Sequence, residues 1–284
     1  MMIEIHFPIE KNFHGSDRIL YALDNKKQSL HLDCNYSYYF QGKNGVGKTT
    51  LLNIISLLTD FSGGVKIEDS TICLNKDEKD KSIHEKNDLR KNHFSYIFQD
   101  PHIINIYTIK ENLTIVNQDF VFDRDMDLIH QKINRLHIDQ SEKQYLQTKL
   151  AKLIHEKNNS PFYLSGGEKQ LLSFIRAMIK PSNIIFADEP WASMDKNLKE
   201  FIEQELYKYL SNEDIFAGIR NRNQINQLKS SNTVIAIAHV FHHSKDISQY
   251  GDRDQSFEHS INIKKITAVK EEKSQLDLIR FKRN

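Results

Sequence analysis

The stretch from Gly42 to Thr50 constrains the fold of this chain more than any other. It reads GKNGVGKTT, which fits the pattern G-x-x-x-x-G-K-[ST] in full. A segment with strand character, Ser37–Phe40, precedes it, and a segment with helical character, Lys48–Thr59, follows it. Between a strand and a helix, such glycines let backbone N–H groups approach phosphate oxygens closely. We therefore predict a strand, a phosphate-binding loop and a helix, in that order.

The phosphate loop, defined as Gly42–Thr50, supplies candidate ligands for a nucleotide and for Mg²⁺. The ammonium of Lys48 can reach the β- and γ-phosphates, and the hydroxyl of Thr49 can bind Mg²⁺. A chance glycine turn before a helix is the alternative, and the flanking strand and helix patterns argue against it. The predicted nucleotide contacts in the loop are Gly42, Lys43, Asn44, Gly45, Val46, Gly47, Lys48, Thr49 and Thr50.

A second apolar segment, Ile184–Ala187, ends in two acidic residues, Asp188 and Glu189. Successive side chains on a strand point to opposite faces, so the two carboxylates can serve different partners. Asp188 is the predicted Mg²⁺ ligand, directly or through a water, and Glu189 is the predicted general base for the attacking water. An acid pair after a strand is by itself more often a turn or a helix cap. Together with the phosphate loop, the pair favours a catalytic interpretation.

The segment Leu164–Gln170, with the sequence LSGGEKQ, is unusual in a chain that has only 10 glycines in 284 residues. A serine and two adjacent glycines stand immediately before a helical pattern. The N–H groups and the dipole of a helix start favour an anion, and glycine leaves room for its close approach. Ser165, Gly166 and Gly167 are therefore predicted to bind an anion. This stretch is called the signature segment below.

The phosphate loop, the signature segment and the acid pair, in this order, resemble the nucleotide-binding domain of ABC-type ATPases. The resemblance extends from about Ile3 to beyond His239. It implies an α/β fold, with a P-loop NTPase core, a mixed sheet and an inserted helical subdomain. In this family the signature segment covers the nucleotide of a second chain. The predicted anion is thus the γ-phosphate of ATP bound to a partner subunit.

The resemblance also gives roles to residues that mean little on their own. Gln99 resembles the glutamine that reaches metal and water, and His239 resembles the histidine that contacts the γ-phosphate. Asp195 resembles the end of the loop that follows the acid pair. The predicted catalytic residues are thus Glu189, His239 and Gln99. The predicted metal ligands are Thr49, Gln99 and Asp188, and the nucleotide contacts outside the phosphate loop are Tyr21, Ser165, Gly166, Gly167, Glu168 and Asp195.

An aromatic residue ahead of the phosphate loop normally stacks on adenine in this family. Tyr21 stands at about the right distance along the chain, and Phe13 is the second candidate. The preference for ATP itself is implied by the family and not by either aromatic residue.

The alternation of strand and helix patterns predicts a single domain over residues 1–284. Within it we assign 1–99 and 181–284 to the α/β core and 100–180 to the helical subdomain that carries the signature segment. Helical periodicity in that subdomain rests on two sets of apolar residues. These are Leu128, Ile129, Ile133 and Leu136, and Leu146, Leu150, Leu153 and Ile154.

Other segments carry weaker signals. Val65–Leu74 is predicted to be one strand that follows a turn at Ser62-Gly63-Gly64, and Asn75–Lys91 is predicted to be a charged loop. Ser211–Asn232 resembles a polar insertion that binds a partner or has no function. The basic run Lys264–Asn284 is predicted to be a solvated tail, with a partner or membrane-surface contact as the alternative.

Composition excludes several classes of protein. The formal net charge is +1, which gives no reason to expect nucleic acid as a partner. Cys34 and Cys73 match no metal-binding spacing, and two reduced thiols are favoured over a disulfide. No apolar run approaches the length of about 18 residues that a membrane span requires. We therefore expect a cytoplasmic protein that contacts the membrane through a partner.

These patterns lead to one hypothesis and two alternatives. The hypothesis is an ATP-hydrolysing subunit of an ABC transporter that needs ATP, Mg²⁺, a second ATP-binding subunit and separate integral membrane permease subunits. A soluble ABC-type ATPase of DNA repair or translation is the first alternative. An unrelated P-loop GTPase or kinase is the second, and the signature segment argues against it. The cargo and its direction are left open because membrane subunits select the cargo in this family.

Overall fold

The structure, a computed structural model, describes residues 3–12, 18–23, 29–33, 36–41, 45–67, 70–73, 79–190, 194–222, 232–237, 260–267 and 274–282. The chain divides into two compact units. The first consists of Met1–Phe94, Asn183–Glu189 and Ser231–Asn284, and the second of Ser95–Ser182 and Pro190–Ser230.

The first unit is built on a β-sheet with two helices, α1 (Lys48–Ile55) and α2 (Lys79–Asn92). The described strands are β1 (Ile3–Asn12), β2 (Arg18–Leu23), β3 (Ser29–Leu32), β4 (Tyr36–Gln41), β5 (Ser62–Ile67), β6 (Ser70–Cys73), β7 (Phe94–Ile97), β8 (Ile184–Asp188), β9 (Thr233–Ile237), β10 (Ser260–Thr267) and β11 (Ser274–Lys282). The first of the three segments of this unit ends at Phe94, the first residue of β7, and the rest of β7 belongs to the second unit.

The strand order is β6-β5-β1-β2-β10-β11-β4-β9-β8-β7, and β3 pairs with β1 beside this path. The strand β9 runs parallel to both β4 and β8, whereas β1, β2, β10 and β11 form antiparallel pairs. The sheet is therefore mixed, as the sequence predicted.

The register of the parallel strands explains why two distant motifs meet. Phe40 of β4 and Asp188 of β8 both pair with Ile237 of β9. Because parallel strands end at the same edge of a sheet, the start of the phosphate loop and the acid pair follow at that edge. The core beneath this edge is apolar, since Tyr38 and Phe40 are buried and Phe94 packs edge-on against Phe186 at 5.0 Å.

The predictions for residues 62–74 were wrong in two places. Ser62-Gly63-Gly64 begins strand β5 and is not a turn before it. Gly63 has a φ of 137° and lies so close to β1 that a Cβ would be 3.2 Å from the carbonyl oxygen of Pro8. Glycine is needed for this approach, beside a register shift in β1. The described residues within Val65–Leu74 belong to two antiparallel strands, β5 and β6, and not to one.

The predicted loop Asn75–Lys91 contains α2 instead. The sequence carries little helical signal because the helix is strongly polar, with Ile83 and Leu89 as its two apolar residues. Such a helix depends on contacts with other parts of the chain. Two of its side chains provide them. Lys86 forms a salt bridge of 3.4 Å with Asp60, and Arg90 donates a hydrogen bond of 3.1 Å to the carbonyl oxygen of Leu57.

The basic run Lys264–Asn284 is not a solvated tail. Its described residues belong to β10 and β11, which form an antiparallel hairpin inserted between β2 and β4. In β11, Leu276, Leu278 and Phe281 are interspersed with polar residues, and the charge of the segment hid this pattern.

The second unit is helical. Its helices are α3 (Ile109–Thr114), α4 (Phe122–Asn134), α5 (Gln140–His155), α6 (Gly166–Ile179), α7 (Lys196–Tyr209) and α8 (Ala217–Arg220). The predicted helical periodicity is confirmed for five of its eight residues, because Ile129, Ile133, Leu146, Leu150 and Leu153 are buried. The other three, Leu128, Leu136 and Ile154, are half-buried, and Leu136 lies beyond the end of α4.

The bounds of the second unit differ from the predicted helical subdomain, since 190–230 belong to it. The reason is packing on α6. The ring of Phe174 meets Phe201 of α7 at 5.9 Å and Phe216, just before α8, at 5.7 Å. The described part of the predicted polar insertion is thus partly core. Within it, Arg220 is 2% exposed and forms a salt bridge of 2.7 Å with Asp214.

Among the described residues, no helix is both long enough and apolar enough to cross a bilayer.

Candidate functional site

The second half of the phosphate loop joins β4 to α1. Gly42, Lys43 and Asn44 lie outside the described residues. Gly45 and Gly47 have φ values of 77° and 98°, a region that favours glycine. Gly47 is the N-cap of α1, and its carbonyl oxygen accepts a hydrogen bond of 2.9 Å from the N–H of Leu51. The described part of the loop therefore leads directly into a helix that begins at Lys48.

Lys48 is the first residue of α1 and is only 5% exposed. Burial lowers the pKa of its ammonium below the ordinary value, and the nearby carboxylates of Glu189 and Asp188 oppose that effect. The phosphate loop and the acid pair are thus close enough to interact electrostatically. A buried cation at a helix start is suited to an anionic ligand.

Thr49 and Asp188 are in direct contact. The hydroxyl of Thr49 donates a hydrogen bond of 3.2 Å to Oδ1 of Asp188. Mg²⁺ prefers oxygen ligands and usually takes only one or two from the protein, with the rest from phosphate and water. A hydroxyl and a carboxylate at this separation fit that donor set. The chemistry of the pair therefore agrees with the predicted Mg²⁺ site.

Glu189 follows β8 with a φ of 43°, although it is not glycine and stands directly before Pro190. A left-handed backbone at such a residue costs on the order of 1–3 kcal/mol, and residues of this kind cluster at functional sites. The strain coincides with the residue predicted to be the general base.

Tyr21 does not suit the predicted role of stacking on adenine. It is 0% exposed, so neither face of its ring is open to a base. Its hydroxyl donates a hydrogen bond of 3.0 Å to the carbonyl oxygen of Gly47. Burial raises the pKa of this phenol, and a hydrogen bond with Thr50 opposes that effect only in part. The hydroxyl therefore keeps its proton and can donate it in a hydrogen bond. Tyr21 therefore stabilises the phosphate loop through its hydrogen bond to Gly47. The second candidate, Phe13, lies outside the described residues.

The signature segment forms the start of α6 in the second unit. The hydroxyl oxygen of Ser165 accepts the N–H of Glu168 at 3.4 Å, and Oε2 of Glu168 accepts the N–H of Ser165 at 2.8 Å. This reciprocal cap satisfies two backbone donors of the first turn. Because Ser165 uses its oxygen as an acceptor here, its hydroxyl can still donate a hydrogen bond to a ligand.

Glu168 belongs to the cap rather than to the ligand-facing surface. It is 8% exposed, and Oε2 also accepts a bond of 2.9 Å from Lys152. Burial would raise the pKa of this carboxyl. The bonds from Lys152 and Ser165 outweigh burial and hold the pKa below its ordinary value. The predicted nucleotide contact of Glu168 is therefore replaced by a role in shaping the start of α6.

The two glycines of the signature segment have different surroundings. A Cβ on Gly166 would meet no atom within 4 Å, so the chain itself does not require glycine there. A Cβ on Gly167 would lie 3.0 Å from Nζ of Lys149 and 3.7 Å from the hydroxyl of Tyr145. The open space at Gly166 agrees with the predicted approach of an anion.

The remaining predicted site residues are distributed as follows. Gln99 is exposed just after β7, in the second unit. Asp195 is the N-cap of α7 in the same unit and accepts the N–H of Leu198 at 3.1 Å through Oδ1. His239 lies outside the described residues. The first unit thus brings together Lys48, Thr49, Asp188 and Glu189.

Three residues of α5 were missed by sequence reasoning. Tyr145 donates a hydrogen bond to Oδ2 of Asp195, Lys149 lies beside Gly167, and Lys152 holds Glu168. Their spacing of four and then three residues places them on one face of a helix. That spacing was the available signal, but only the fold reveals what the face contacts.

Comparisons with known proteins match the part of the chain that carries these motifs. The family model described as ABC transporter matches residues 26–192, which include the phosphate loop, the signature segment and the acid pair. The bacitracin export ATP-binding protein BceA of Halalkalibacterium halodurans is 37% identical over 156 residues, covering 54% of this chain and 54% of BceA. The chain thus spans about half the length of that relative.

Two further proteins match over more of their length. The lipoprotein-releasing system ATP-binding protein LolD of Protochlamydia amoebophila is 27% identical over 219 residues, covering 74% of this chain and 82% of LolD. A dimeric structure of a post-hydrolysis state of the ATP-binding cassette MJ0796, bound to ADP and Pi, matches with a TM-score of 0.51 and 22% identity, over 84% of this chain and 88% of that chain. This likeness confirms the predicted fold class. Because the family model covers more than half of the sequence, the chain belongs to the ABC transporter family.

Proposed function

We propose that this chain hydrolyses ATP as one of two nucleotide-binding subunits of a membrane transporter whose membrane-spanning part is a separate polypeptide. The contact between Thr49 and Asp188, beside the buried Lys48, is the observation that carries the proposal. It joins a phosphate loop to an acid pair at one sheet edge, which is the arrangement that ATP and Mg²⁺ require.

In this mechanism Lys48 binds the β- and γ-phosphates, and N–H groups of the phosphate loop surround them. Thr49 and Asp188 would hold Mg²⁺, which would supply positive charge to offset the charge of the phosphates. Tyr21 keeps the loop in shape through its bond to the carbonyl oxygen of Gly47.

Glu189 accepts a proton from the attacking water while the oxygen of that water bonds to the γ-phosphorus. The bond from that phosphorus to the bridging oxygen breaks, and ADP leaves with the electron pair. Gln99 and His239 are assigned to the same step, Gln99 near metal and water and His239 near the γ-phosphate. The left-handed backbone of Glu189 supports its role as the base, because strained residues of this kind cluster where a side chain must point in a particular direction.

A second subunit completes the site. Ser165 and the N–H groups of Gly166 and Gly167 of one chain bind the γ-phosphate held by the other. This gain exists only while the γ-phosphate is attached, so ATP favours the dimer and hydrolysis releases it. A ligand that binds two states with different affinity can drive a conformational change in this way.

The chain would then lie on the cytoplasmic face of the membrane, attached to permease subunits that select the cargo. The segment after Gln99 offers a surface for such a contact. Within it, Ile106 is 88% exposed. The loop that carries it is held by Asn112, whose side chain bonds to both the N–H and the carbonyl oxygen of Ile104 at 3.0 Å.

Affinity purification of the tagged chain from detergent-solubilised source cells tests this assignment. We expect a protein with several membrane spans to co-purify, and the complex to hydrolyse ATP. Recovery of ribosomes or nucleic acid without a membrane protein would instead support a soluble ABC-type ATPase. Absence of any ATP hydrolysis by the complex would overturn the enzymatic part of the proposal.

A further inference from the structure

Tyr145 connects two parts of the second unit that the sequence predicts to contact a nucleotide. Its hydroxyl donates a hydrogen bond to Oδ2 of Asp195, while Oδ1 of the same carboxylate caps α7 through the N–H of Leu198. The carboxylate of Asp195 therefore forms two hydrogen bonds, one that caps the start of α7 and one that holds a side chain of α5.

The hydroxyl of Tyr145 also lies near the first turn of α6, which begins in the signature segment. A Cβ on Gly167 would be 3.7 Å from the Tyr145 hydroxyl, an ordinary van der Waals distance. Tyr145 thus stands between Asp195 and Gly167.

Lys149 steadies this arrangement from the side. Its ammonium lies 4.7 Å from the centroid of the Tyr145 ring, within the range of a cation–π contact. It is also the group nearest to a Cβ on Gly167, at 3.0 Å. A cation beside a helix start is unfavourable unless anions are near, and the carboxylate of Asp195 is held by the adjacent tyrosine.

The tyrosine is a donor under all ordinary conditions. Burial raises the pKa of its phenol above the ordinary value, and the bond to Asp195 and the charge of Asp195 act in the same direction. The bond to Asp195 is therefore charge-assisted, a class that is stronger and more directional than a neutral bond.

We propose that Tyr145 is a positioning residue that fixes Asp195 relative to the signature segment, so that both meet the partner subunit as one preassembled surface. The inference rests on the proposed function, because it assumes that the signature segment and Asp195 face a second ATP-bound subunit. Preassembly lowers the entropy lost on association, so the hydroxyl of Tyr145 contributes to dimerisation without touching the nucleotide.

The alternative is that Tyr145 only packs α5 against α7. The two roles separate in Tyr145→Phe, which keeps the ring and removes the hydroxyl. A packing role would change thermal stability alone. A positioning role changes the ATP-dependent dimerisation constant and leaves the affinity of the monomer for ATP unchanged, because the phosphate loop is untouched.

The experiment uses the full chain with Glu189→Gln as the parent, so that ATP persists. Dimerisation with MgATP is measured by analytical ultracentrifugation, and monomer affinity with a fluorescent ATP analogue. We expect Tyr145→Phe to weaken the dimer about tenfold, because the side chain of Asp195 must then be ordered when the two subunits associate. Tyr107→Phe, which removes a hydroxyl elsewhere in the same unit, should leave it unchanged. An equally strong dimer in Tyr145→Phe overturns the inference.

A second variant tests whether the effect passes through Asp195. Asp195→Ser keeps a good N-cap for α7 but removes the oxygen that Tyr145 binds. The double variant should dimerise no worse than the weaker single variant, because both remove one link. If the losses multiply, Tyr145 acts elsewhere and the inference is wrong.

If the Glu189→Gln parent itself does not dimerise with ATP, the proposed function fails. That result is distinguishable from a failure of the inference about Tyr145.

Discussion

The hydroxyl of Thr49 and the carboxylate of Asp188 form a hydrogen bond of 3.2 Å, although 139 positions separate them in the chain. The bond exists because β4 and β8 flank β9 in parallel, with Phe40 and Asp188 opposite the same residue, Ile237. This topology places the predicted phosphate loop beside the predicted metal ligand Asp188. It is the structural basis of the ATPase assignment.

Removal of the Thr49 hydroxyl should weaken Mg²⁺ binding. Thr49→Val keeps the shape of the side chain, and we expect the Mg²⁺ concentration for half-maximal ATP hydrolysis to rise at least about tenfold. Thr49→Ser retains the hydroxyl and should remain close to the parent. Equal Mg²⁺ dependence in all three proteins would exclude Thr49 as a ligand.

Loss of the Ser165 cap should reduce activity more than its effect on stability explains. Thr108 caps α3 with the same reciprocal pattern, through Glu111, and so provides a matched control. Ser165→Ala and Thr108→Ala should each cost about 1 kcal/mol of unfolding free energy. Only Ser165→Ala should lower kcat, by at least about tenfold, because Ser165, unlike Thr108, is proposed to donate a hydrogen bond to the γ-phosphate. Similar kcat values for the two variants would speak against the anion site.

Alanine at Gly166 should stabilise the chain and inactivate it. No atom lies within 4 Å of a Cβ there, and alanine gains roughly 0.5 kcal/mol over glycine in a helix. The added methyl group occupies the space assigned to the partner's phosphate. Gly218→Ala in α8, where the nearest atom would be 3.8 Å away, should stabilise the chain without loss of ATP hydrolysis. Unfolding curves and phosphate release measure the two effects, and an active Gly166→Ala would contradict the site.

Lys180, at the end of α6, should make stability depend on pH. Burial lowers its pKa to about 8, whereas an unfolded lysine titrates near 10.4. Between these values the unfolded chain binds the proton that the folded chain has lost, so stability rises with pH. Lys180→Met should be more stable than the parent at pH 7, and this advantage should shrink from about pH 8 upwards. Lys110→Met, at an exposed lysine of α3, is the control. A constant difference between pH 7 and pH 10 would rule out this titration.

The local motifs of the site could be predicted because each depends on a few adjacent residues. Glycines at positive φ, a lysine at a helix start and an acid pair after an apolar strand are visible in the sequence itself. The cap between Ser165 and Glu168 belongs to the same class. The sequence did not show which side chains each motif contacts in the folded chain. In the structure Tyr21 bonds to the phosphate loop through Gly47, and Glu168 bonds to the N–H of Ser165 in the cap.

The parts of the fold that sequence reasoning missed depend on distant contacts or on patterns that charge hid. The helix α2 has one buried apolar residue, Leu89, and depends also on bonds from Lys86 and Arg90. Arg220 is strongly polar, yet it is buried because Asp214 neutralises it. Tyr145 acquires its role only when α5 and the start of α7 meet.

The most direct test of the account is single-turnover ATP hydrolysis by Glu189→Gln beside the unaltered chain. The substitution keeps the size of the side chain but removes the base, so ATP should remain bound and a stable dimer should accumulate. Phosphate release should fall by a factor on the order of 100 or more, since general acid–base catalysis typically contributes a factor of about 100 to 10,000. Hydrolysis by Glu189→Gln at the rate of the unaltered chain would show that Glu189 is not the catalytic base.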